Sequence, residues 1–165
     1  MASKKKSKKP AAKSSPKKAK SAKKAPAKRR APAAKPGWKL ESVAPGITAN
    51  DLEKSLGWYR DVVGFAVEET WTHEGKVAGA QLRAGNVVVL LGQDDWKKGR
   101  DRKKGEGFRL YWMATGDIDA MAKGIVARGG TLDQPPTDQP WGMRDFSLTD
   151  PDGFKITVAK VTKKR

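Results

Sequence analysis

The first 36 residues contain no acidic, aromatic or branched aliphatic side chain, so any core must come from the 129 that follow. Those 36 positions hold 15 Lys and Arg, 10 Ala, 5 Pro, 5 Ser and the first Met. Such a segment cannot bury enough apolar surface to offset the entropy of ordering it, and disorder is expected. The remainder is nearly neutral. It carries all twelve aromatic residues and only +2 of the net charge of +17. Two parts follow from this division: a basic tail, residues 1–36, and a folded domain, residues 37–165.

In the tail, Lys4, Lys5, Lys6, Lys8, Lys9, Lys17, Lys18, Lys23, Lys24, Lys28, Arg29 and Arg30 form small clusters separated by Ala, Ser and Pro. Prolines at 10, 16, 26, 32 and 36 favour extended chain, which spreads charge along a polyanion. Contact with a phosphate backbone releases condensed counterions and gives affinity without reading bases. With no aromatic residue, the tail has no means of stacking on bases. The expected partner is therefore nucleic acid, bound independently of sequence. The composition resembles the Lys/Ala/Pro tails of linker histones and bacterial histone-like proteins. A solubilising tail or an anionic-membrane tether would share the charge, but a tether usually adds a lipid site or apolar anchor. The cluster Lys97, Lys98, Arg100, Arg102, Lys103 and Lys104 either extends the basic surface or is a solvated loop. The same choice applies to residues 160–165.

Several classes are excluded. No Cys is present, so there is no disulfide framework, thiolate metal site or Cys nucleophile. The longest apolar run, Val87–Leu91, is five residues, too short for a bilayer span. No apolar stretch follows the basic start, as a signal peptide requires, and the tail is neither Arg-rich nor amphipathic like a transit peptide. A cytoplasmic, nucleoid-associated protein is expected, nuclear in a eukaryote.

The domain reads as strands and short helices. Asn50 or Asp51 caps a helix with Leu52, Leu56, Tyr59 and Val63 on one face, and Gly64 ends it. Strands follow over 65–72, 76–83 and 86–92. The plan then repeats: a strand over 108–114, a helix capped by Asp117 with Ile118, Met121, Ala122 and Ile125 inward, Gly129-Gly130, and strands over 144–149 and 154–161. The last two are joined by Asp150-Pro151-Asp152-Gly153, with Pro and Gly placed as a type I turn favours. Asp51-Leu52-Glu53 and Asp117-Ile118-Asp119 fall in register 66 residues apart, which points to an internal duplication.

Three fragments carry a more specific likeness. NDLEKSLGWYRDVVGF at 50–65, GDIDAMAKGIVARGG at 116–130 and PWGMRDFSLTDPDGFKITV at 140–158 resemble the glyoxalase/bleomycin-resistance/extradiol-dioxygenase superfamily, the vicinal oxygen chelate proteins. The resemblance covers about residues 40–160 and implies an α+β fold: paired βαβββ modules forming a curved mixed sheet around a cleft, commonly in a homodimer. It also implies four metal-ligand positions, usually His, Glu, His and Glu. These fall near Val43 or Ala44, near Leu90, near Leu110 and at Thr157, with Arg109 as the neighbouring register at the third. None of these side chains suits a divalent cation, and His73 is the sole histidine, in a turn outside the pattern. No metal and no cofactor are expected.

The expected function is that of a metal-free protein of the bleomycin-resistance kind, binding a small molecule in its cleft. Strand alternation nominates Phe108, Leu110 and Trp112 on one strand, and Asp145, Ser147 and Thr157 on the last two, as lining. Phe146, Leu148, Ile156 and Val158 are assigned to the core, and Trp71 and Trp141 to the cleft ends. Bleomycin is cationic, and a slightly basic domain offers it no acidic cleft. Two other functions compete: a lyase or isomerase of the family using Asp145 as base, and an architectural nucleoid or chromatin protein.

Overall fold

Asp51 opens the first helix by accepting from the Lys54 N–H at 3.1 Å, and Asp117 opens the second by accepting from the Asp119 and Ala120 N–H groups. Each satisfies donors that a helix start leaves without partners. The computed structural model describes residues 41–162. The expected disorder of residues 1–36 and the roles of their lysines and arginines lie outside that range.

The first module runs β1 (Gly46–Ala49), α1 (Leu52–Gly57), β2 (Ala66–His73), β3 (Lys76–Ala84) and β4 (Val87–Gln93). A π-helical segment, Trp58–Val63, continues α1. The second module runs β5 (Arg109–Met113), α2 (Ile118–Ala127), β6 (Leu132–Gln139), β7 (Met143–Thr149) and β8 (Lys155–Val161). The duplication is therefore βαβββ twice. Each module forms its own four-stranded mixed sheet, ordered β1-β4-β3-β2 and β5-β8-β7-β6, with β1–β4 and β5–β8 parallel.

α2 ends in a Schellman motif: Gly129 N–H reaches the Val126 carbonyl, and Gly130 N–H the Ile125 carbonyl. Gly129 sits at φ +86°, a conformation that favours glycine. Arg144 holds the helix to its sheet through two bonds to the Asp119 carboxylate, 2.9 and 2.8 Å. β6 has no counterpart among the strands expected from the sequence because Pro135 and Pro136 interrupt it. Prolines are tolerated there because β6 is an edge strand whose register shifts on both sides of Gln134.

One core joins the modules. The helix-facing sides of both sheets contribute Ile47, Leu82, Leu91, Phe146, Leu148 and Ile156, all buried. An aromatic chain crosses it, with ring centroids 5.9 Å apart from Tyr59 to Phe65 and 5.1 Å from Phe65 to Trp112.

The Asp150–Gly153 turn is also a clamp between modules. Asp152 accepts from Asn50 N–H and the Ser55 hydroxyl, both at 2.6 Å. Asp150 accepts from the Tyr59 hydroxyl at 3.0 Å, and from the Phe154 and Asp152 N–H groups. Burial pushes the Asp150 carboxyl above its ordinary range, and those three hydrogen bonds oppose the shift. A carboxyl raised in this way costs stability as pH climbs through its folded pKa. Tyr59→Phe removes one donor from the charged form and should destabilise the domain by about 1–3 kcal/mol at neutral pH. The deficit should shrink on acidification as Asp150 protonates, which urea unfolding at a series of pH values would measure. A deficit that grows toward acid would contradict this assignment.

Candidate ligand-binding site

Parallel pairing places Tyr111 opposite Thr157, Leu110 opposite Ile156 and Trp112 opposite Val158. Antiparallel pairing then sets Ser147 opposite Thr157, and Phe146 opposite Val158. Side chains at paired positions share a sheet face. The open face of this sheet therefore carries Arg109, Tyr111, Met113, Thr157, Ser147 and Asp145. The opposite face, under α2, carries Leu110, Trp112, Ile156, Val158, Phe146 and Leu148.

The six nominated residues thus divide. Asp145, Ser147 and Thr157 share the open face, and the core assignment of Phe146, Leu148, Ile156 and Val158 matches the structure. Leu110 and Trp112 do not join that face. They are buried on the helix side, only 4% and 8% exposed. The expectation for β5 is one residue out of register, and such a slip turns every side chain to the other face. Phe108 precedes β5, half-exposed, with its ring edge against Phe154. The residues that belong with Thr157 are Arg109, Tyr111 and Met113. The charge of Arg109 at the start of the strand is the signal that the sequence offers for this face.

Other expectations resolve similarly. Met121, placed inward, is partly exposed. Trp71 is partly exposed and its indole lies over Gly79, close enough that a Cβ there would collide with the ring. Trp141 is exposed beside β7, and His73 is exposed at the end of β2, 3.8 Å from Glu74.

Polar groups on the open face are tied to one another. Arg109 Nη1 donates to Thr157 Oγ1 at 2.8 Å, and Gln139 Nε2 donates to Asp145 Oδ1 at 2.8 Å. The Tyr111 hydroxyl donates to Met143 Sδ at 3.5 Å. Burial, and then the Asp145 charge, raise the Tyr111 hydroxyl above its usual value, so it stays protonated and a donor. On this face Arg109, Tyr111 and Met113 are exposed, whereas Asp145 and Thr157 are buried, 6% and 7% exposed, with Gln139 and Arg109 as their hydrogen-bond donors.

The positions that the resemblance reserves for metal do not fit one. Val43 and Ala44 are exposed ahead of β1, and Leu90 pairs with Gly46. Leu110 is turned into the core, and the Arg109 guanidinium lies on Thr157. Apolar groups donate no lone pair, and a fixed cation repels a divalent ion. Among the described residues no group of three or more His, Cys, Asp or Glu is arranged to hold a metal.

The loop between β4 and β5 also resolves. Buried Asp94 pairs with Lys104 at 2.7 Å and with Arg102, and accepts from the Trp96 N–H. Those hydrogen bonds, Lys104 first, hold its carboxyl well below the usual carboxylate range. Arg100 stacks 4.6 Å over Trp96, and Lys97 pairs with Asp95. Much of this loop's positive charge is thus answered internally.

The double βαβββ arrangement matches a known family. The model of the Glyoxalase/Bleomycin resistance protein/Dioxygenase superfamily aligns with residues 39–158, and the chain belongs to that superfamily. Similar solved structures include a member of the same superfamily from Sphaerobacter thermophilus, 26% identical with a TM-score of 0.60, covering 73% of this chain and 98% of that one. TioX from a Micromonospora species is 20% identical, with a TM-score of 0.59 and coverage of 74% and 99%. A glyoxalase/bleomycin resistance protein/dioxygenase from Nocardioides is 18% identical, with a TM-score of 0.58 and coverage of 78% and 88%. No curated protein matches the chain significantly.

Proposed function

We propose that this is a metal-free small-molecule-binding protein of the bleomycin-resistance kind, tethered to nucleic acid by residues 1–36. The observation that carries the first half is the Arg109–Thr157 hydrogen bond, which sets a guanidinium at the positions for which the family resemblance implies metal ligands. The ligand lies on the open face of the second sheet, against Tyr111 and between Arg109 and Asp145. Sites of this kind combine apolar and aromatic surface with a few fixed polar groups. Asp145 accepts from Gln139, and the nearby Tyr111 hydroxyl, raised by burial and by the Asp145 charge, donates to Met143, which favours positioning over proton transfer. The exposed Tyr111, Met113, Trp141 and Val161 support a homodimer that covers the open face and deepens it into a cleft.

Native mass spectrometry of the freshly purified full chain tests this reading. The expected spectrum is a dimer carrying a small molecule, with no one-to-one uptake of Ni²⁺, Zn²⁺, Fe²⁺ or Mn²⁺. Arg109→Ala should release the small molecule without unfolding the domain. One metal per chain surviving dialysis would overturn the metal-free assignment.

A further inference from the structure

Away from the open face, at the seam between the two modules, lies a cavity of about 510 Å³. One wall comes from the end of α1's π-helical continuation and from the β3–β4 turn. The other comes from the end of β5, from α2, and from the helix-facing side of β7 and β8. Phe65, Trp112, Ile125 and Val158 supply apolar surface, with Asn86 and Thr115 as polar groups. This volume falls in the range of pockets that enclose drug-sized ligands, roughly 300–1,000 Å³.

Two features narrow the class of ligand. No charged side chain among the described residues lines the cavity. A buried ionised group would therefore find no partner, and burying one unpaired is strongly unfavourable. Trp112 contributes to the wall, and its indole N–H is shielded from solvent with no acceptor among the described residues. Buried donors are rarely left so. A ligand bearing an acceptor gives that donor a partner once the indole turns toward it.

We propose that the seam cavity is a second binding site, for an uncharged, planar, largely apolar molecule carrying a carbonyl or ring-nitrogen acceptor. It is separate from the open-face site and does not depend on it.

The methionines provide built-in reporters. Met121 lines the cavity from α2, whereas Met143 lies on the open face and accepts from the Tyr111 hydroxyl; Met113, on the open face of β5 and also at the cavity, does not separate the two sites. Full-length protein with ¹³C-labelled Met methyl groups is titrated with 9-fluorenone, fluorene and 9-fluorenone-2-carboxylate. Fluorenone should shift the Met121 methyl saturably and leave Met143 in place. Fluorene has the same shape without the acceptor and should bind roughly threefold to tenfold more weakly. The carboxylate should bind at least about tenfold more weakly, because its charge is unpaired in the cavity. Ala114→Leu, at the end of β5, fills part of the cavity and should abolish the fluorenone shift read at Met121, with the Met143 signal confirming the fold. Saturable shifts confined to Met143, or none at any methyl, would overturn the proposal. Equal affinity for fluorene and fluorenone would remove the acceptor from the ligand's definition.

Discussion

Deleting residues 1–36 should leave a domain that unfolds at the temperature of the full chain but has lost most of its affinity for duplex DNA. The deletion removes 15 of the 17 net positive charges and no aromatic or branched aliphatic side chain. Core burial is untouched, so stability should not move. Affinity should move greatly. For the full chain, log affinity should fall linearly with log salt, by about 0.9 for each phosphate neutralised, so six contacts cost roughly a thousandfold between 50 and 200 mM. The truncated protein should show a weak, nearly flat dependence, because Lys97, Arg102 and Lys104 of the β4–β5 loop are paired with Asp95 and Asp94. Scrambling the tail at constant composition should change little. Full affinity in residues 37–165 would transfer the binding site to that loop. Strong preference among DNA sequences would contradict counterion release as the source of affinity.

Trp112→Ala should destabilise the domain by about 3–5 kcal/mol, as truncation of a large buried aromatic does. The indole is 8% exposed and packs against Phe65, so it joins one module to the other as well as filling space. Against a total stability of about 5–15 kcal/mol for an ordinary domain, that loss brings the protein close to unfolding. Tyr111→Ala, one residue earlier, removes a ring that is 48% exposed on the opposite face. It should cost far less stability while weakening any ligand held on the open face. Urea midpoints for the two variants separate the faces directly. A smaller loss for Trp112→Ala than for Tyr111→Ala would invert the assignment of β5.

These adjacent residues mark the limit of local information. Alternation along β5 establishes that Leu110 and Trp112 share one face and Tyr111 the other. It marks which face α2 covers only weakly, since Arg109 is the one charged residue on the Tyr111 face while Tyr111 and Met113 are aromatic and apolar like Trp112 and Leu110. That depends on β5 pairing with β8, 46 residues away in sequence, with Tyr111 opposite Thr157. On β7 and β8 the same question has a local answer, because Phe146, Leu148, Ile156 and Val158 alternate with polar neighbours. Contrast in polarity makes one strand pair readable, and its weakness on β5, where only Arg109 is charged, leaves the register open.

Much of the architecture is local chemistry and so lies in the sequence itself. Asp51 and Asp117 cap helices because their short carboxylates reach N–H groups two or three residues on. Gly64 and Gly129 end helices because both sit at positive φ. Repetition of those signals 66 residues apart reveals the duplication. Uneven charge alone divides tail from domain, since 15 of the 17 net positive charges fall in the first 36 residues. What required the tertiary structure was everything made by residues distant in sequence. β6 exists despite two prolines because an edge strand need not donate from every residue. The Asp150–Gly153 turn clamps α1 because folding brings together groups 91 to 102 residues apart. Arg109 sits on Thr157, and the cavity opens beside Trp112, because packing of two modules decides which surfaces meet. Local propensity acts within a few residues, whereas a site is assembled by packing across the whole domain.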